Sequence, residues 1–90
     1  MATVRNIYLQ CKSVGIVATQ TDFSTLCGRK GNWASSAMAR DLKMPLDTLA
    51  SCYCHLLEQR DKAGTPNLLK SIWDNICMTV QHRHSEITLD

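Results

Sequence analysis

Thr19-Gln20-Thr21-Asp22-Phe23-Ser24-Thr25-Leu26-Cys27-Gly28-Arg29-Lys30-Gly31-Asn32-Trp33-Ala34-Ser35-Ser36-Ala37-Met38-Ala39-Arg40 holds two helix starts separated by a polar turn rich in glycine. Thr19 with Asp22 three places later approximates a capping box, in which hydroxyl and carboxylate each accept a backbone N–H that the first helical turn leaves unpaired. The helix so started runs through Phe23 and Leu26 and stops at Gly28, where glycine tolerates a left-handed backbone. Asn32 is a good N-cap residue for the next helix, read as about 33–42. Ala34, Ala37 and Met38 share its inner side, and Ser35, Ser36 and Arg40 its outer side.

Periodicity extends the helical reading in both directions. Val4, Ile7, Tyr8, Cys11 and Val14 recur at three- and four-residue spacing, with Thr3 placed to cap and Gly15 to terminate. Pro45 suits the first turn of a fourth helix. Its apolar stripe is Leu46, Leu49, Ala50, Tyr53, Leu56 and Leu57, and it ends near Lys62 before Gly64. Thr65-Pro66 repeats the start signal. Leu68, Leu69, Ile72, Trp73, Ile76, Cys77 and Val80 then give a fifth helix a wide apolar face, and the polar segment 81–90 reads as a fraying tail. The expected fold is all-α, a five-helix bundle around a helix-turn-helix at residues 19–43, forming a single domain over residues 1–90 with its core in 4–80.

Composition bounds the function. The chain has 90 residues, 44% hydrophobic and 20% charged, as in an ordinary globule. It has no apolar run near the roughly 18 residues of a membrane span. No apolar segment follows Met1-Ala2-Thr3-Val4-Arg5-Asn6 to make a secretory signal. A cytoplasmic location and no membrane association are therefore expected. The net charge of +2 is too small to announce a polyanionic partner, but residues 29–43 concentrate Arg29, Lys30, Arg40 and Lys43 against Asp41 alone.

Five cysteines, an odd number among apolar neighbours, read as free thiols in a reducing compartment. Cys52, Cys54 and His55 with His82 and His84 match no common zinc spacing, and 52 and 54 fall on opposite flanks of a helix. No metal or other cofactor is expected. Nor is an enzyme, since Gly28 and Gly31 form no phosphate cradle and no Cys–His pair has an evident orienting third group.

The pattern of residues 19–28, together with Pro45-Leu46-Asp47-Thr48-Leu49-Ala50, resembles the lambda-repressor/Cro-like (Xre-type) helix-turn-helix domains. The resemblance covers residues 4 to 57. Phe23-Ser24, Leu26-Cys27-Gly28-Arg29 and Trp33 are also similar to a group of small bacterial helix-turn-helix-like proteins. The turn Arg29-Lys30-Gly31-Asn32 is longer than the Xre pattern has, and Arg29 stands where that pattern places an apolar residue. The resemblance implies a small DNA-binding transcriptional regulator, with Gln20 at the amino end of the second helix contacting phosphate or base. Asn32, Ser35, Ser36 and Arg40 would face bases, and Arg29, Lys30, Arg40 and Lys43 phosphates. Double-stranded DNA is then the partner.

The alternative is a protein-interaction module on the same fold that binds and inhibits another regulator. Leu69, Ile72, Trp73 and Ile76 admit two roles: closing the core of a small bundle, or forming a homodimer or partner face.

Overall fold

A computed structural model describes residues 2–88. Five helices follow one another: α1 (Val4–Ser13), α2 (Gln20–Leu26), α3 (Trp33–Ala39), α4 (Leu46–Leu57) and α5 (Thr65–Thr88). The described residues contain no strand. One antiparallel bridge pairs Thr3 with Lys43, flanked by Val4 N–H to the Leu42 carbonyl at 2.9 Å and Met44 N–H to the Ala2 carbonyl at 3.1 Å. This clasp fixes the start of α1 against the link between α3 and α4.

Local chemistry explains most boundaries. Thr3 accepts the Asn6 N–H, and Thr19 and Asp22 form the full capping box. At the other ends, α1, α2 and α3 close with one device, in which the second residue past the cap bonds back to a carbonyl five residues earlier. The bonds are Ile16 N–H to Cys11 O (3.1 Å), Arg29 N–H to Ser24 O (2.8 Å) and Leu42 N–H to Ala37 O (3.0 Å). The left-handed residue is Gly15 in the first, Gly28 in the second and Asp41, at φ 51°, in the third. An aspartate in that place stops α3 at Ala39, three residues before the expected end, without a glycine to signal it.

Three further boundaries differ from expectation. Pro45 is the cap residue of α4 rather than part of its first turn. After Leu57 the chain winds more tightly through three-residue bonds, including Gln59 N–H to Leu56 O at 2.9 Å and Lys62 N–H to Gln59 O at 3.0 Å. The α-helix therefore ends five residues early although the coil direction continues. Thr65 does not cap α5 but is its first residue: Leu68 N–H bonds to Gly64 O at 3.2 Å, and the Thr65 hydroxyl is buried without a partner. The segment expected to fray stays helical through Thr88, because no glycine or proline follows Pro66 and its Gln, Arg and Glu residues propagate a helix already nucleated. Residues 89 and 90 of that segment lie outside the described residues.

The core draws on all five helices. Val4, Ile7 and Cys11 of α1, Phe23 of α2, Ala34 of α3, Leu49, Cys52 and Leu56 of α4, and Ile72 of α5 are sealed from solvent. Tyr8 meets Phe23 edge-on, with ring centroids 5.5 Å apart. On α4 the buried side is Thr48, Leu49, Cys52 and Leu56, so Ala50 and Leu57 of the expected stripe are exposed. Along α5, Leu68 and Ile72 enter the core, Leu69 and Ile76 are half-buried and Trp73 stands 51% exposed. The four residues read as a possible partner face are thus divided, with Ile72 assigned to the core. No helix among the described residues is long and apolar enough to cross a membrane.

Candidate nucleic-acid interface

α2 and α3 are locked together by one buried side chain. Ser24 is wholly enclosed; its Oγ accepts the Ala34 N–H at 2.9 Å and donates to the Gln20 carbonyl at 3.1 Å. Ala34 lies in the first turn of α3, where amide protons have no partner within the helix. Ser24 therefore supplies from α2 the cap that Asn32 was expected to supply; Asn32 occupies the cap position but its side chain makes no capping bond. Ser35 Oγ donates to Gln20 Oε1 across the outer seam of the two helices. Phe23 and Trp33 pack beneath with centroids 6.5 Å apart. Trp33 is half-buried against the core.

The outward surface of this pair is polar and basic. Gln20, Lys30, Asn32, Ser35, Ser36 and Arg40 are all exposed, and no carboxylate occurs from 32 to 40. Arg29, Lys30, Asn32, Trp33 and Ser36 line an open cleft of about 510 Å³. Arg29 has commitments within the protein. Its guanidinium donates to Thr48 Oγ1 at 2.8 and 3.2 Å and to Asp47 Oδ2 at 3.3 Å, and it lies 5.6 Å from the Trp33 ring centroid. Arg29 thus ties the α2–α3 turn to the start of α4, with Asp47 offsetting its charge. Arg40 follows the last turn of α3. Lys43 is exposed but sits in the clasp with Thr3, beyond the helix.

Known proteins offer no template for this surface: no family model, curated protein or solved structure matches the chain.

A second cleft, of about 530 Å³, opens between α2 and α4 and has the opposite character. Asp22, Glu58 and His55 line it above Val17 and Leu26. His55 Nδ1 lies 2.6 Å from the Leu26 carbonyl, so Nδ1 carries a proton and donates it there. Asp22 accepts the Ala18 and Thr19 N–H groups at 3.2 and 3.3 Å. Among the described residues no three Cys, His, Asp or Glu side chains are arranged to hold a metal ion, and Cys52 is buried while Cys54 is exposed.

Cys11, Cys27 and Cys52 meet in the core where α1, α2 and α4 converge. Cys11 is pushed far above the ordinary thiol range by its hydrogen bond with Cys52, then by burial and by Coulomb repulsion from Cys52. For Cys52 the bond with Cys11 acts downward, but the bond with Cys27, burial and repulsion outweigh it and the net shift is upward. Neutral buried thiols of this kind are packing groups, not nucleophiles.

Proposed function

We propose that the chain is a small transcriptional regulator that binds double-stranded DNA through α2 and α3, acting as a helix-turn-helix related to the lambda-repressor/Xre type. One observation carries the reading. The outer face of α3 holds only the small side chains of Ser35, Ser36 and Ala39, with Asn32 at its start, Arg40 just past its end and Gln20 of α2 beside Ser35. Small side chains allow a helix to sit deep in a major groove. Serine, asparagine and glutamine reach base edges or phosphates, and arginine reads guanine with two parallel bonds. Lys30, Arg40 and Lys43 are the cations left to meet phosphates once Arg29 is engaged by Asp47.

Three phosphate contacts give a salt dependence of about −2.7 in log K against log [salt]. Fluorescence anisotropy of a random 20-base-pair duplex should show a dissociation constant in the ~1–100 μM range at physiological salt. Arg40→Ala with Lys43→Ala should reduce the slope to about −1. No binding at low salt would refute the DNA reading and leave the module that binds another regulator.

A further inference from the structure

The cleft of about 510 Å³ beside the α2–α3 turn gathers more donors than the fold uses. Gly28, Arg29, Lys30, Asn32, Trp33 and Ser36 line it, with no carboxylate among them. Arg29 is held from behind. Thr48, itself sealed from solvent, accepts from its Nε and Nη2, and Asp47 accepts from Nη2. Nη1 makes none of these bonds. Among the described residues the side chains of Lys30, Asn32 and Ser36 have no hydrogen-bond partner in the protein, and Lys30 has no ion-pair partner. Trp33, half-buried against the core, gives the same cleft an apolar wall.

We infer that this cleft binds a small organic carboxylate with an apolar body, of the size of an aromatic acid. Its volume lies within the range of about 300–1,000 Å³ typical of small-molecule sites, which combine an apolar wall with a few convergent polar groups. Charge selects the sign. Asp47 offsets Arg29, whereas Lys30 is left uncompensated, so the cleft carries one net positive charge and suits a monoanion. The carboxylate takes Arg29 Nη1 and Lys30 Nζ, because charge-assisted bonds to a carboxylate are the strongest these groups can make. The apolar body rests on the Trp33 wall. A DNA phosphate uses the two cations but leaves that wall unfilled.

Occupancy has a consequence for the proposed DNA face, to which Lys30 and Asn32 also belong. A bound carboxylate neutralises Lys30 and covers Asn32, so the ligand releases duplex DNA. This second step rests on the DNA-binding reading; the carboxylate site itself does not. A ligand at ten times its own dissociation constant that competes fully raises the apparent dissociation constant of the duplex about eleven-fold.

Titration of the nitrogen-15-labelled full chain with 2-naphthoate, without DNA, tests the site by NMR. The chain has two tryptophans, so Trp73, which lies outside the cleft, is the internal control for the Trp33 indole signal, with Trp73→Phe assigning the pair. The Trp33 indole and the Gly28 and Asn32 amides should shift and saturate with a dissociation constant of about 0.1–1 mM. Acetate, which lacks the apolar body, and 2-naphthalenemethanol, which lacks the charge, should each bind at least about ten-fold more weakly. Lys30→Gln, at an exposed position, should weaken 2-naphthoate binding about five-fold while the rest of the spectrum stays as it was. No saturable shift, an equal response to either control compound, an effect led by Trp73, or binding indifferent to Lys30→Gln would each overturn the inference. Duplex anisotropy is then read with and without 2-naphthoate, against acetate at the same ionic strength. A duplex that fails to bind at all refutes the DNA reading and leaves the carboxylate site standing; one that binds but ignores 2-naphthoate overturns the release step.

Discussion

Replacing Ser24 by alanine isolates the contact that joins α2 to α3. In the native chain the Ala34 N–H is fully enclosed, and Ser24 Oγ is its partner at 2.9 Å. Ser24→Ala leaves that donor buried and unpaired, a penalty of about 1–3 kcal/mol. The Gln20 carbonyl loses little, because it keeps its place in the α2 hydrogen-bond ladder. The expected loss is about 2 kcal/mol, which for a domain of this size lowers Tm by about 10 °C. Asn32→Ala is the matched control. Local sequence alone assigns Asn32 a cap worth about 1 kcal/mol, whereas its side chain makes no such bond, so its effect should stay within about 0.5 kcal/mol. Urea or thermal unfolding of the two variants, followed by circular dichroism, decides the matter. Equal losses, or a larger loss for Asn32→Ala, would refute the assignment of the cap to Ser24.

Asp41→Gly removes a left-handed aspartate at the end of α3; it should stabilise the fold by about 0.5 kcal/mol in urea unfolding. By deleting the one acid of the basic stretch it should also tighten duplex binding in anisotropy. Thr65→Val keeps the shape of a buried side chain and removes a hydroxyl with no partner, so Tm should rise by roughly 4–8 °C, about 1 kcal/mol. The core thiols predict an alkaline loss of stability. Cys11 and Cys52 hold their protons more tightly folded than unfolded, so their contribution is whole below the ordinary value of 9.0 and is lost as pH rises above it. Each thiol adds at most about 1.4 kcal/mol per pH unit. Cys11→Ser, which does not titrate there, should flatten the decline above pH 9 in urea titrations; an unchanged slope would count against the shifted thiols.

The sequence was informative wherever the decisive bond is local. Thr3 with Asn6, Thr19 with Asp22, and the glycines at 15 and 28 lie within a few residues of the groups they satisfy, so spacing alone identified the ends of α1 and α2. α3 was legible at its apolar side but not at its ends. Its cap comes from Ser24, ten residues away, and its stop uses Asp41, a residue that carries the left-handed backbone less often than glycine. The engagement of Arg29 by Thr48 and Asp47 spans 18 and 19 residues and crosses two connections. No periodicity encodes such a pairing, so Arg29 read as a free phosphate contact. On α5, periodicity marked an apolar face wider than one neighbour can cover. Which of its residues enter the core depends on the docking of α1 and α4, and that separated Ile72 from Trp73.

The way α3 is held has a consequence for change over time. Seven residues are too few to sustain a helix in water. The order of α3 is set from outside, by Ser24, by the apolar contacts of Ala34, Ala37 and Met38, and by the turn that closes on Leu42. Positions 36, 39 and 40 carry none of that burden in their side chains. They are free to exchange one surface chemistry for another while the fold beneath stays the same, so a new binding preference can arise there by single substitutions without an offsetting stabilising change elsewhere.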